Sequence, residues 1–312
     1  MKNKCLYCYG SIASEKDFHE KCSLEFFGTP NPPQIEYSLD QMDKLAKNVV
    51  ERSVSVPGVQ AKLSMSLVAE STNPANTRLT IVGALGGNYI FKPPSGRFPE
   101  MPENEHLTMR MAETFGIPVV PSSLIRLASG ELCYLTKRID RTVKGEKIHM
   151  LDMFQITEAF DKYKSSMEKV GKALDTYSSN TLLDKTYFFD LALFSFLTGN
   201  NDMHLKNFSM MKNPSGWGLA PAYDLLNVAI VFPEDEEELA LTLEGKKKKL
   251  KREHFEQLAS GLGLTPKQIK GAFNRILKNN TKAFEWIDRS LLSYTMKKSY
   301  NQVMEERYKR LL

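Results

Sequence analysis

The apolar residues of this 312-residue chain follow two different periods, and the switch between them near residue 150 limits what the chain can fold into. Before the switch, Val59, Ala61, Leu63, Met65 and Leu67 alternate with Gln60, Lys62, Ser64 and Ser66, the two-residue period of a half-buried strand. "TRLTIVGAL" (77–85) and "NYIFKP" (88–93), separated by Gly86-Gly87, predict two more strands with a tight turn between them. "PENEHLTMRMAETFG" (102–116) opens on Pro and closes on Gly, with Leu107, Met111 and Phe115 at helical spacing, and predicts a helix. "SLIRLA" and "ELCYLTKRI" complete a small mixed sheet crossed by that helix. After the switch, helical patterns run over 150–160, 184–198, 252–262, 265–278 and 283–308. The expectation is an α+β, two-lobed fold with a β-rich N-lobe and a helical C-lobe, whose cleft is the default ligand site.

A small module stands ahead of the sheet. Cys5, Cys8, His19 and Cys22 read C-x2-C-x10-H-x2-C, and in a reducing cytosol thiols this close are better explained by metal than by disulfides. Four soft ligands in two knuckles can close a tetrahedron around zinc and leave no position for a substrate, so a zinc there would be structural. The alternative is idle thiols beside a surface His. "TPNPPQIEY" (29–37) cannot be helical and reads as a linker. In "SLDQMDKLAKNVV" (38–50), Ser38 can cap a short amphipathic helix carrying Leu39, Met42, Leu45 and Val49. The expected domains are a zinc-ribbon-like module at 1–30, an N-lobe at 38–140 and a C-lobe at 141–312 with a catalytic loop at 199–209.

Composition excludes several classes. With 42% hydrophobic and 25% charged residues the chain should bury proper cores. Lys plus Arg is 42 and Asp plus Glu is 37, and much of the excess sits in "KKKKLKR" (246–252), read as a solvated face. That balance is too mild to imply nucleic acid, and neither a signal peptide nor a membrane span is evident, so a cytoplasmic protein is expected. Cys133, Phe194, Phe196 and Trp217 are expected in the core.

The chemistry concentrates in "LTGNNDMHLKNFSM" (197–210). Asp202 and Asn207 are five apart, the D-x4-N spacing of a kinase catalytic loop, where Asp receives the substrate's hydroxyl proton and Asn holds magnesium. Past a hairpin expected over 208–220, Asp224 could chelate the metal ions that bridge ATP phosphates, or instead cap a helix over "LLNVAIVF". Lys92 ends a strand, where it can neutralise phosphate charge, and Glu105 on the next helix can orient it. "SVPGVQAK" (55–62) is a turn-prone loop running into a strand, suited to covering phosphates with backbone N–H groups. Each feature alone is weak; the order of all five is what points to phosphoryl transfer.

Together "SVPGVQAK", "YIFKP", "NEHLTMRMA", "LTKRIDR", "GNNDMHLKNFS" and "APAYDLL" resemble motifs of the HipA-like serine/threonine protein kinases, the toxins of bacterial toxin–antitoxin pairs. The resemblance implies ATP covered by Pro57, Gly58, Val59, Gln60, Ala61 and Lys62, with Lys92 on the phosphates and a hinge of Lys137, Arg138 and Ile139 holding adenine. It implies Asp202 as base, Asn207 and Asp224 on magnesium, and His204 and Lys206 beside the phosphates. It further implies autophosphorylation at Ser55, with Ser53 next to it as the other candidate. The implied substrate is a cellular protein, an aminoacyl-tRNA synthetase if the family habit holds. The implied partners are a helix-turn-helix antitoxin resembling HipB and, in split systems, a separate small protein resembling a missing N-terminal subdomain. DNA would be reached only through the antitoxin.

The chain also departs from kinase patterns. It has no G-x-G-x-x-G, no H-R-D and no D-F-G, and His204 stands two after Asp202 where eukaryotic-type kinases often place Lys. Fewer than sixty residues precede the phosphate loop, where longer HipA relatives carry a β-rich subdomain. Two other functions stay open at this point: a catalytically inactive nucleotide-binding scaffold, and direct nucleic-acid binding.

Overall fold

A computed structural model describes residues 3–13, 15–42, 44–45, 62–69, 77–82, 86–142 and 144–312. The chain divides into two compact units, one of residues 1–106, 120–146 and 289–291, the other of 107–119, 147–288 and 292–312.

The first unit is built on a sheet whose strands are β3 (Leu63–Ala69), β4 (Thr77–Ile81), β5 (Tyr89–Lys92), β6 (Ser122–Arg126) and β7 (Leu132–Lys137), in the order β4-β3-β5-β7-β6. Alternation drives it: Leu63 and Met65 on β3 and Tyr89 and Phe91 on β5 are buried. Two expectations need correction. All four strand pairings are antiparallel, so the sheet is not mixed. The strands at 77–81 and 89–92 do not form a hairpin, because β3 lies between them and pairs with both. Two glycines in a row made a tight turn the simplest local choice, but pairing is decided by which neighbours bury the apolar face.

Both edges of the sheet are covered. Gln34 bonds the outer side of β4 at Thr77 and Leu79. On the other side the N-terminal module, β1 (Asn3–Lys4), β2 (Ser11–Ile12) and α1 (Glu20–Phe27), seals β6: the amide of Leu124 donates to Leu6, and Arg126 pairs with Asp17 at 3.0 Å. Open strand edges invite wrong partners, so this cover has a physical use. Residues 39–42 and 44–45 are helical, with Met42 fully buried, and Val49 lies outside the described residues. Helix α2 (Met101–Thr114) starts in this unit.

The second unit is largely helical. A three-stranded sheet of β8 (Met150–Asp152), β9 (Ser209–Asn213) and β10 (Gly216–Leu219) accompanies α3 (Met153–Ile156), α4 (Met167–Tyr177), α5 (Thr181–Leu197), α6 (Arg252–Gly261), α7 (Pro266–Lys278), α8 (Asn280–Arg289) and α9 (Tyr294–Leu311). The hairpin expected around 208–220 is β9 and β10. The segment 150–160, expected helical, begins instead as a strand paired to β9, and Asp152 then caps the four-residue α3. A short apolar run carries no period that separates strand from helix. The single helix expected over 283–308 is two, because Ser293 accepts from the amide of Met296 and starts α9 afresh. Helix α4 was not anticipated, although Met167, Val170, Ala173 and Leu174 bury at helical spacing behind the cap Ser166. Phe194, Phe196 and Cys133 are buried as expected, but Trp217 is only half-buried on β10. The lysine run is exposed at Lys248, which pairs with Glu236, while Lys247 pairs with Glu237, so the preceding acidic residues neutralise much of it.

Candidate functional site

In the second unit, α5 delivers the chain into a loop that begins at Gly199. Its φ is +71, and a Cβ there would stand 2.7 Å from the Asn227 amide oxygen, so glycine alone fits. The Gly199 carbonyl accepts from the amides of Val228 and Ala229, which ties the loop to the segment that follows Asp224. The tie thus links the loop that carries Asp202 to the segment that follows Asp224, 22 positions further along the sequence. Asp224 sits at φ +56, and no helix follows it, so the helix-capping alternative fails.

Asn207 is buried, and its amide nitrogen donates to the Asp202 carbonyl at 2.9 Å, closing the loop. Because the amide is planar, that bond turns the Asn207 oxygen away from the loop. The Asp202 carboxylate is 43% exposed, and one oxygen accepts from the Tyr163 hydroxyl at 2.8 Å. His204 is buried 3.9 Å from that oxygen, and the Lys162 ammonium lies 2.9 Å from its Nε2. An ammonium can only donate, so Nε2 accepts and the imidazole proton sits on Nδ1. That N–H finds no hydrogen-bond partner among the described residues. Burial first, and the Lys162 charge with it, lowers the His204 pKa, while Asp202 and Asp224 push it up. Lys206 is exposed, with its ammonium 4.8 Å from the Phe154 ring centre.

In the first unit, Lys92 and Glu105 form a buried ion pair at 2.6 Å, the pairing expected from their order in sequence. The Lys92 ammonium also lies 5.3 Å from the Tyr134 ring centre. Of the expected hinge residues, Lys137 turns its ammonium onto the Phe26 ring at 5.3 Å, Arg138 pairs with Asp140 at 2.7 Å, and Ile139 is half-buried. Lys62 is exposed at the start of the described strand region; Pro57, Gly58, Val59, Gln60, Ala61, Ser53 and Ser55 lie outside the described residues.

The cysteine module holds a second cluster. The ligand atoms of Cys5, Cys8, His19 and Cys22 all lie within 4.8 Å of one another. His19 Nδ1 is 3.4 Å from the Cys8 sulfur and 3.7 Å from that of Cys22, against edges of roughly 3.6 to 3.8 Å for a zinc tetrahedron with these ligands. The other ring nitrogen donates to the Ser11 carbonyl at 3.0 Å, which fixes the tautomer with Nδ1 as the lone pair facing the thiols. Gly10 donates its amide to the Cys8 sulfur at 3.4 Å, and a Cβ there would crowd His19 at 3.1 Å. Burial, then repulsion from Cys5 and Cys8, raises the Cys22 pKa, a repulsion that a bound dication would cancel.

Sequence reasoning missed Tyr163 and Lys162. They lie in "FDKYK" (160–164), a stretch without periodicity, and meet partners 39 and 42 positions away. The Lys missing two residues after Asp202 has a counterpart of sorts in Lys162, an ammonium brought from another segment.

A fold of this kind is found in solved kinases. A chain in the Shewanella oneidensis complex of HipA, HipB and operator DNA matches with a TM-score of 0.65, over 85% of this chain and 70% of that one, at 22% identity. The Helicobacter pylori proinflammatory kinase CtkA matches with a TM-score of 0.54, over 73% of this chain and 90% of that one, at 18% identity. The protein belongs to the HipA-like C-terminal domain family, which matches residues 54–284. A putative kinase of Sinorhizobium fredii, Y4dM, is 33% identical over 236 residues, 69% of this chain and 55% of that protein. The serine/threonine-protein kinase toxin HipA of Shewanella oneidensis is 26% identical over 211 residues, 61% of this chain and 47% of that protein. The chain thus spans about half the length of these two relatives. Among the described residues no helix is long and apolar enough to cross a membrane.

Proposed function

We propose that the protein is an ATP- and magnesium-dependent serine/threonine kinase that phosphorylates a cellular protein and acts as the toxin of a toxin–antitoxin pair. The observation that carries this reading is the closed loop in which Asn207 bonds the Asp202 carbonyl and leaves the Asp202 carboxylate half-exposed. Asn207 and Asp224 offer hard oxygen donors, which suit magnesium, and the unsatisfied Nδ1–H of His204 is a donor suited to a phosphate oxygen. When bound, Mg-ATP supplies the phosphoryl group and screens its charge. The Asp202 oxygen not held by Tyr163 receives the proton of the attacking hydroxyl, while the Tyr163 bond keeps the carboxylate in one orientation. Lys92, oriented by Glu105, neutralises phosphate charge. Lys206 adds a second cation, Lys62 and the loop ahead of it cover the phosphates, and Lys137, Arg138 and Ile139 line the adenine side.

The same reading assigns a structural zinc to Cys5, Cys8, His19 and Cys22, and autophosphorylation to Ser55 or Ser53. It gives the protein a HipB-like helix-turn-helix antitoxin as partner, with DNA reached through it, and leaves room for a small protein resembling the missing subdomain. An aminoacyl-tRNA synthetase is the first substrate to try. The deciding experiment compares parent and Asp202→Asn proteins with labelled ATP and mass spectrometry. Transfer should fall by about 10²-fold or more while ATP affinity holds. Equal transfer by both proteins would refute the assignment.

A further inference from the structure

The cysteine cluster and the Lys92–Glu105 pair are physically connected, and the connection runs through both partners of the pair. Tyr9 stands between the ligand Cys8 and Gly10, held at φ +59 with its amide on the Cys5 carbonyl at 2.9 Å. Its ring is buried, and its hydroxyl lies 2.7 Å from Nδ1 of His106, edge-on to the imidazole. His106 is the residue after Glu105 on α2. The second path starts at Cys22 on α1. One helical turn on, Phe26 packs against Tyr89 at a ring separation of 6.0 Å, and Tyr89 opens the strand that ends in Lys92. One route thus fixes the helix that carries Glu105, and the other fixes the strand that carries Lys92.

We propose that the cysteine module is a metal-set brace for the Lys92–Glu105 pair. One zinc on Cys5, Cys8, His19 and Cys22 locks the turn that presents Tyr9 and the helix that presents Phe26, and these hold the two halves of the pair in register. Without metal, four ligand residues in two short segments have too little core to hold that turn. The left-handed Tyr9 then relaxes, its buried hydroxyl leaves His106, and α2 loosens at Glu105. The zinc serves the kinase by position and takes no part in the transfer. This inference rests on the assignment of Lys92 to nucleotide phosphates only where it predicts nucleotide affinity; the brace itself does not need it.

The test uses the full chain and the variant Tyr9→Phe, which keeps the buried ring and removes the hydroxyl. Elemental analysis should find one zinc per chain in both proteins. Amide exchange should show α2 around Glu105 losing protection in Tyr9→Phe and, further, in chelated parent protein, while α5 stays protected in both. The KM for ATP should rise about two- to tenfold in Tyr9→Phe with a smaller change in kcat, the range a single hydrogen bond can move. Absence of zinc, or unchanged exchange at α2 in chelated protein, overturns the brace. Loss of protection at α2 with no change in ATP affinity supports the brace and counts against the placement of Lys92 on the phosphates, so the two failures are told apart.

Discussion

Asp224 holds a left-handed conformation that aspartate and asparagine tolerate better than most residues, because a short polar side chain can bond its own backbone. Asp224→Asn should therefore keep the fold while removing a charge that the proposed magnesium needs. The expected result is an unchanged melting temperature without ligand and loss of the stabilisation that Mg-ATP should give the parent protein under the proposed function, read by thermal unfolding. The Lys92–Glu105 pair responds differently, since both side chains are buried. Glu105→Gln removes the carboxylate charge from a buried pair and should destabilise the protein in denaturant unfolding, whereas changing both residues to apolar ones should cost less. His204 gives a pH signature. Its folded pKa is depressed by burial and by Lys162, so its contribution to stability is present above about 6.5 and is lost as pH falls through the folded value. Lys162→Met removes a cation that holds the pKa down, and the imidazole titration followed by NMR should move upward. Asp202 and Asn207 were legible because their relation is a fixed spacing along the chain. Tyr163 and Lys162 were not, because what places them is a loop folding back over the site.

Elements were read well where a period was long and badly where a choice was tertiary. Helices α2, α5, α6 and α7 follow from spacing, helped in α2 by its flanking Pro and Gly, and their expected bounds differ from the observed ones by at most three residues. The strand at 150–152 and the placement of β3 between β4 and β5 depend on partners elsewhere in the chain, which no local pattern carries. The break before α9 had a local signal in Ser293, overlooked because apolar residues continue across it. Replacing Ser293 by Ala should cost about 1 kcal/mol and lower the melting temperature without touching ATP binding.

At the scale of the molecule, an acidic stretch organises the second unit. Asn201, in the loop that also carries Asp202, donates to Asp235 at 3.0 Å and to the Glu237 carbonyl at 3.1 Å. Next to these, Glu238 is buried between Arg307 at 3.0 Å and Arg310 at 2.7 Å, both on α9. Burial alone would raise the Glu238 pKa, but the Arg310 and Leu250 hydrogen bonds and the two arginine charges bring it below its usual value. Its stabilisation is then present above the ordinary carboxyl range near 4.3 and is lost as pH falls through the folded value. Glu238→Gln should lower the melting temperature at neutral pH and flatten its acid limb, measured by unfolding between pH 3 and 7.

The division into units has a consequence for fragments of the chain. The chain crosses from one unit to the other after residues 106, 119, 146, 288 and 291, so each unit is assembled from separated stretches of the reading frame. Separate fragments divided after residue 146 would leave the first without residues 289–291 and the second without 107–119. Two fragments separated there would each lack part of a unit, so neither should fold as it does in the intact chain.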